Sequence, residues 1–385
     1  MTQPGIDRAQ FLRRMAALGV LTAAGSIAGS PGTGAATGSG RATGPACGLT
    51  YRGVCYDTGT EFFPGHLGRE RWSRRLMRGE IGAVRDLLHC NSVSVFGSDL
   101  GRLAETSAEA AARGLHVWLQ PRHFDHPQRE VLDHLAETAR HAERLRRQHG
   151  EVNLNVGCEA MLFTPGIVPG ATWPERIEYL SGADPDFAAI TRRLDAFLGR
   201  AAATARAAFR GGITYAAASF EQVDWRRFDF VGLDHYAPLS DPAAYLRELR
   251  RHRRWGKPIV ICEFGCCAYE GADSEPGDGW TIVDYSKPIP ELTGDPVRSE
   301  RTQAGYLDGA LRVFESEGLH GAYVYSFISP DDPHSPEPRY DLDMASYALV
   351  KVLRADFGDP ASRYRWEPKQ AFATVARHYG AASRR

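Results

Sequence analysis

Five helix-like stretches of this chain run into a glycine and then almost at once into a short strand-like segment: Gly114, Gly150, Gly211, Gly256 and Gly318. Glycine suits the left-handed position that ends a helix because it has no Cβ to clash. The next segments are short, apolar and largely β-branched, as in Ser92-Val93-Ser94-Val95-Phe96, His116-Val117-Trp118-Leu119-Gln120 and Pro258-Ile259-Val260-Ile261-Cys262. With strands at 50–56, 152–157, 212–217, 228–233 and 322–326, the count is eight. Helical stretches fall at 82–88, 103–113, 128–149, 186–209, 242–254 and 298–317, and two more, 344–357 and 368–379, close the chain. Connections from helix to strand are short, whereas those from strand to helix are long, notably 160–185, 266–297 and 328–343. Eight β-then-α units with that asymmetry predict an α/β chain folded as a (β/α)8 TIM barrel, not a doubly wound sheet. All the long loops then share the C-terminal face, where such a barrel builds its site. A decorated scaffold without chemistry would show the same pattern. No repeat or linker divides residues 50–382, which are expected to form a single domain.

The first fifty residues stand apart. Arg8, Arg13 and Arg14 precede the apolar run 15–24, the layout of an export signal over residues 1–30. The signal is similar to the twin-arginine type, with Arg8, Phe11, Leu12 and Arg13 in place and Ala9 where a second arginine would stand. The general secretory route is equally open, and an amphipathic N-terminus is the non-targeting alternative. The run is too short to span a membrane. Residues 31–49 are almost all Gly, Ala, Ser, Thr and Pro, a flexible spacer. The protein is expected to be exported, secreted or cell-wall associated, with no stable membrane insertion once the signal is removed. Taking Arg8, Arg13, Arg14, Arg41 and Asp7 from 46 basic and 47 acidic residues leaves 42 and 46. Such a mildly acidic chain gives no electrostatic reason to expect nucleic acid as a partner. The seven cysteines, Cys47, Cys55, Cys90, Cys158, Cys262, Cys266 and Cys267, show no zinc spacing, so neither metal nor other cofactor is expected.

Two strands end in glutamate. The fourth ends Gly157-Cys158-Glu159 and the seventh Ile261-Cys262-Glu263, so barrel closure brings both carboxylates to one cavity. Glycoside cleavage needs such a pair, one carboxyl to protonate the leaving oxygen and one carboxylate to attack the anomeric carbon or activate water. The alternative is two structural carboxylates satisfied by backbone N–H or by arginine. A thiol nucleophile finds little support, because no Cys-His order with an Asn stands out and Cys262 is expected to alternate away from Glu263.

The span 50–357 resembles the barrel glycosidases of clan A of the glycoside hydrolases. Gly157-Cys158-Glu159 stands in the place of their Gly-Asn-Glu, and Pro258 to Gly265 resembles their Pro-apolar-Thr-Glu-Phe-Gly segment. The resemblance implies a retaining glycoside hydrolase on a neutral oligo- or polysaccharide, with Glu159 as acid/base and Glu263 as nucleophile. It also implies that Tyr236, in Asp234-His235-Tyr236, donates to Glu263. Three features depart from the clan: Cys158 replaces the Asn that binds the sugar 2-hydroxyl, no Arg that would support the nucleophile ends the second strand, and the eighth strand ends Tyr325-Ser326-Phe327 without the usual Trp platform. Tyr56-Asp57-Thr58-Gly59 and the stretches 329–334 and 340–347 further resemble uncharacterised actinobacterial chains labelled abortive infection proteins, a label that names no chemistry.

Tyr56, Asp57, Gln120, Arg122, His123, Glu221, His235, Tyr236, Trp280 and Tyr325 fall at strand ends or in facing loops, where aromatics stack on sugars and polar groups bind hydroxyls. All but Glu221 are the expected substrate-binding residues, and a packed or hydrogen-bonded structural role is the alternative for each. A barrel that binds carbohydrate or cell-wall material without hydrolysing it is the second reading, and a non-catalytic interaction protein the third.

Overall fold

The computed structural model describes residues 48–382. The expected export signal and all of the expected spacer up to Cys47 lie outside the described residues. The strands are β1 Tyr51–Asp57, β2 Ser92–Gly97, β3 His116–Pro121, β4 Val152–Cys158, β5 Ile213–Ala216, β6 Val231–Asp234, β7 Ile259–Phe264 and β8 Gly321–Val324. They form one parallel sheet in the order β5-β4-β3-β2-β1-β8-β7-β6. Ala217, just past β5, bridges Leu233 of β6, its N–H donating to the Gly232 carbonyl, and so closes the sheet into a barrel. The expected (β/α)8 fold is what forms.

Helices α1 Arg74–Asp86, α2 Leu100–Ala112, α3 Gln128–His149, α4 Ala160–Phe163, α5 Trp173–Leu180, α6 Phe187–Ala208, α7 Pro242–Arg251, α8 Glu300–Ser316 and α9 Gln370–Ala382 surround or cap it. Strand alternation sorts the core into two compartments. Val54, Val93, Val117, Leu154, Ile213, Val231 and Ile261 face the helices. Cys55, Phe96, Trp118, Cys158, Val260, Cys262 and Tyr323 pack inside the barrel. Gly114, Gly150, Gly256 and Gly318 hold the left-handed conformations expected at helix ends. Gly211 does not; a Cβ there would lie 2.3 Å from the Phe209 ring, so close packing selects glycine.

One expectation fails. Residues 344–357 are not a helix but a 3-10 turn, Leu342–Ala345, and then strand β10 Val350–Arg354. With β9 Ile328–Pro333 and β11 Tyr364–Pro368 it forms a three-stranded sheet outside the barrel. Val350 and Val352 are buried while Lys351 is not, a period of two that short apolar runs do not advertise against a helix. This C-terminal region is fastened to the start of the chain. The Tyr364 hydroxyl donates to Glu80 Oε1 of α1 at 3.1 Å, and the Tyr379 hydroxyl of α9 donates to the Gly53 carbonyl of β1 at 3.0 Å. Among the described residues no helix is long and apolar enough to cross a membrane.

Candidate active site

Each of the two glutamates lies at a break in strand register. On β4 the pairing with β5 shifts between Asn155 and Cys158, where Gly157 has φ 152°. On β7 the pairing with β6 shifts so that Asp234 stands opposite Glu263. A bulge adds one residue to a strand and re-aims the side chains beyond it, a device common next to functional sites. Here both bulges turn a cysteine and the glutamate after it toward the cavity. Cys262 packs inside the barrel, contrary to the expected alternation away from Glu263, because the extra residue absorbs one step of the period. Glu159 then starts the one-turn helix α4 in a left-handed conformation, φ 41° and ψ 50°.

Glu263 is buried and held by two side-chain donors. Arg122, one residue past β3, donates through Nη2 to Oε1, and the Tyr236 hydroxyl donates to Oε2 at 3.1 Å. The Arg122 guanidinium lies 3.5 Å from the Phe96 ring centre and donates through Nε to Gln120 Oε1 at 2.9 Å. Arg122 and Gln120, expected to contact substrate, instead form a buried support beneath Glu263. Arg122 thus supports Glu263 from the end of the third strand. Phe96, absent from the expected site, is its platform.

The two glutamates differ electrically. Burial raises the proton affinity of Glu263, while Arg122 and Tyr236 oppose the rise by stabilising the carboxylate. Glu159 has no such donor among the described residues; burial, then the charges of Glu263 and Glu221, push it up to about 8. Glu221, after β5, is pushed by burial to about 7, against hydrogen bonds from the Met161 and Ala218 N–H groups and the Tyr215 hydroxyl. It braces the turn behind Glu159.

The remaining residues separate by strand parity. Asp57 faces the cavity near Arg122 and accepts from Gly59 N at 2.8 Å and Thr60 Oγ1 at 3.0 Å. Tyr325 stacks on Phe96 with ring centres 5.9 Å apart and meets Tyr236 edge-on at 6.5 Å. Trp280 lies at the rim, 6.4 Å from the Trp173 ring, among Phe63, Phe163 and Tyr285. Its loop runs over the site, since a Cβ on Gly277 would touch Tyr236.

Three expected substrate contacts do not reach the cavity. His235 alternates outward and packs edge-on against Tyr245 of α7 at 4.6 Å. His123 points toward α3 and stacks on His126 at 3.6 Å and on His134 at 4.8 Å. Tyr56 points at α1, donating to Glu80 Oε2 at 2.5 Å within a buried group that includes Arg69. Tyr56→Phe is therefore expected to cost about 1.5–3 kcal/mol of stability by denaturant titration, the worth of one hydrogen bond to a charged group, since Glu80 keeps its bonds from Arg69 and Tyr364. Substrate KM should stay at the wild-type value.

His123, His126 and Glu130 hold one ligand atom each within 4.8 Å of one another, so they are the described residues that could gather around a metal ion. The two rings are parallel to within 4° and stacked face to face. An ion bound in the plane of one ring then lies out of the plane of the other, so the arrangement fits a stack better than a chelate.

No family model matches this chain, and no curated protein does. Solved structures match its fold. A GH113 β-1,4-mannanase superposes with a TM-score of 0.55 at 16% identity, covering 86% of this chain and 99% of that one. The GH113 β-mannanase AaManA from Alicyclobacillus acidocaldarius gives 0.53 at 18% identity, covering 86% and 98%. A β-glucuronidase from Ruminococcus gnavus gives 0.50 at 15% identity, covering 86% of this chain and 49% of that one. At such identities the likeness establishes a shared barrel. The chemistry has to be argued from this chain's own residues.

Proposed function

We propose that this protein is a retaining glycoside hydrolase acting on a neutral, β-linked oligo- or polysaccharide, exported to meet it, with Glu263 as nucleophile and Glu159 as acid/base. One observation carries the reading: two glutamates at the ends of β4 and β7, one supported as a carboxylate by Arg122 and Tyr236, the other burdened by burial and its neighbours' charge. Such a difference between two neighbouring carboxyls supports Glu159 as the acid and Glu263 as the nucleophile. The Glu263 carboxylate attacks the anomeric carbon as the bond to the leaving oxygen breaks, and that oxygen takes the Glu159 proton. The ionised Glu159 then deprotonates water, which displaces Glu263 from the glycosyl ester and releases the sugar with its configuration retained.

A neutral sugar is favoured by charge. Arg122 is the cation at the carboxylates among the described residues, and it already bonds Glu263 and Gln120. A uronic acid would add a further negative charge that competes with Glu263 for it. The mannanases among the fold neighbours make β-mannosides the first substrates to try. A panel of aryl β-mannoside, β-glucoside and β-glucuronide, with product configuration followed by NMR, tests the assignment. Hydrolysis of the glucuronide alone would refute the neutral-sugar reading, and an inverted product would refute the nucleophile.

The pH profile has a set sign. Glu159 must be protonated, so kcat/KM should fall as pH rises through its raised pKa near 8. Glu263 must be ionised, so kcat/KM should fall again toward acid. A profile flat far into the alkaline range would remove Glu159 from the acid role.

Binding without hydrolysis is the second reading, and Cys158 is what favours it. The thiol is buried against the barrel core, where it is a weak donor for a sugar hydroxyl. In that case wild type and Glu159→Gln would bind glycan equally and neither would turn it over.

A further inference from the structure

Tyr347, three residues before β10, stands between the barrel and its β7–α8 loop. Its backbone is fixed from the barrel side. Gln303 of α8, fully buried, donates through Nε2 to the Tyr347 carbonyl at 3.1 Å and to the Cys266 carbonyl at 2.9 Å. The Leu349 N–H donates to the Ser326 carbonyl at 2.9 Å. The Tyr347 ring meets those of Tyr236 and Tyr325 edge-on, with centres 5.6 and 5.8 Å away. It lies so close over the end of β7 that a Cβ on Gly265 would come within 3.2 Å of Tyr347 Cδ1. From this fixed base the hydroxyl reaches the loop. It donates to the Pro276 carbonyl at 2.7 Å and to the Gly277 carbonyl at 2.9 Å, one proton shared between two acceptors.

Those two carbonyls open the 3-10 turn Pro276–Ile282, which carries Trp280. Gly277 in turn sits on Tyr236, where a Cβ would lie 3.3 Å from Tyr236 Cβ. Trp280 continues the aromatic rim through Trp173 to Phe163 of α4, the helix that Glu159 opens. A tie at 276–277 divides the long loop 266–297 into two shorter spans and so restricts the part that bears Trp280.

We propose that Tyr347 is a positioning residue: its hydroxyl clasps the β7–α8 loop down on Tyr236 and thereby sets Trp280 at the rim for a substrate that extends out of the cavity. The clasp stands on contacts alone, and its consequence for substrate rests on the glycosidase reading. Tyr347→Phe keeps the ring between Tyr236 and Tyr325 and removes the tie.

Hydrogen exchange on the full chain, read by mass spectrometry, tests the clasp. In Tyr347→Phe the amides of 278–283 should exchange roughly two- to tenfold faster, the worth of one neutral hydrogen bond, while the barrel strands keep their wild-type rates. Unchanged exchange in the turn, or faster exchange spread over the whole chain, overturns the proposal whether or not the protein cleaves any glycoside. Kinetics test the consequence, with an aryl monoglycoside that the wild type hydrolyses and a longer oligosaccharide of the same sugar and linkage. Tyr347→Phe should raise KM for the oligosaccharide by roughly the same factor, and more than for the monoglycoside, with kcat moving less than KM. In a Trp280→Ala background the same substitution should add little to KM, because a residue that acts through another is not additive with it. An equal rise on both substrates, a loss confined to kcat, or full additivity with Trp280→Ala refutes positioning through Trp280.

Discussion

Glu263→Gln is expected to lower kcat on every glycoside by on the order of 10⁴-fold or more, with the fold intact. The amide cannot form the glycosyl ester, so the loss should not depend on the leaving group. Glu159→Gln should behave differently. Removing the acid costs about 10²–10⁴-fold on a sugar leaving group. An aryl glycoside whose phenolate departs unaided should keep most of its first step and stall at the second, where the base is missing. Measuring both variants against both substrate types tests the two roles separately. If the two variants lose the same factor on both substrates, the assignment of acid and nucleophile fails, and full activity in either removes that glutamate from the chemistry.

Arg122→Leu is the second large effect. It leaves Glu263 buried without its cation, and breaking such a pair from one side typically costs about 3–5 kcal/mol. Arg122 holds the carboxyl of Glu263 down against burial, so its loss raises that pKa further. The acid limb of kcat/KM should therefore move to higher pH. The stability deficit should shrink toward acid, because a protonated Glu263 no longer needs a partner. Denaturant titrations at several pH values and the pH–rate profile check both halves. A deficit that is constant with pH would mean that Arg122 acts by packing on Phe96 and not by charge.

The barrel is readable because its signals are local. A glycine past five of the helices and a β-branched run after it need no knowledge of the partner strand. The stretch 344–357 lacks such punctuation, and Tyr347-Ala348-Leu349-Val350-Lys351-Val352-Leu353 satisfies a helix and a strand alike; its pairing with β11 decides the matter. In the site, the two strand-end glutamates are visible as residues that buried runs do not ordinarily end on. Their neighbours depend on parity. Tyr56 and Asp57 are adjacent, as are His235 and Tyr236, and in each pair only one can face the cavity. Strict alternation sorts those two pairs correctly and fails at Cys262, where a bulge that the sequence does not mark inserts an extra residue. Arg122 is legible as a site residue but not in its role, because its reach across the barrel to Glu263 exists only once the strands have closed.

The ties between the end of the chain and its beginning bear on when folding can finish. Tyr364 and Tyr379 bond to α1 and β1, so the first strand is fully seated only after residue 379 has been synthesised. An N-terminal half emerging from the ribosome holds Glu159 but neither β7 nor the strap that locks the barrel seam. Cooperative folding therefore comes late relative to translation, which leaves time for chaperones to engage an open chain. Truncation at residue 357, where the sequence resemblance ends, would remove that lock and leave the β1–β8 seam uncovered.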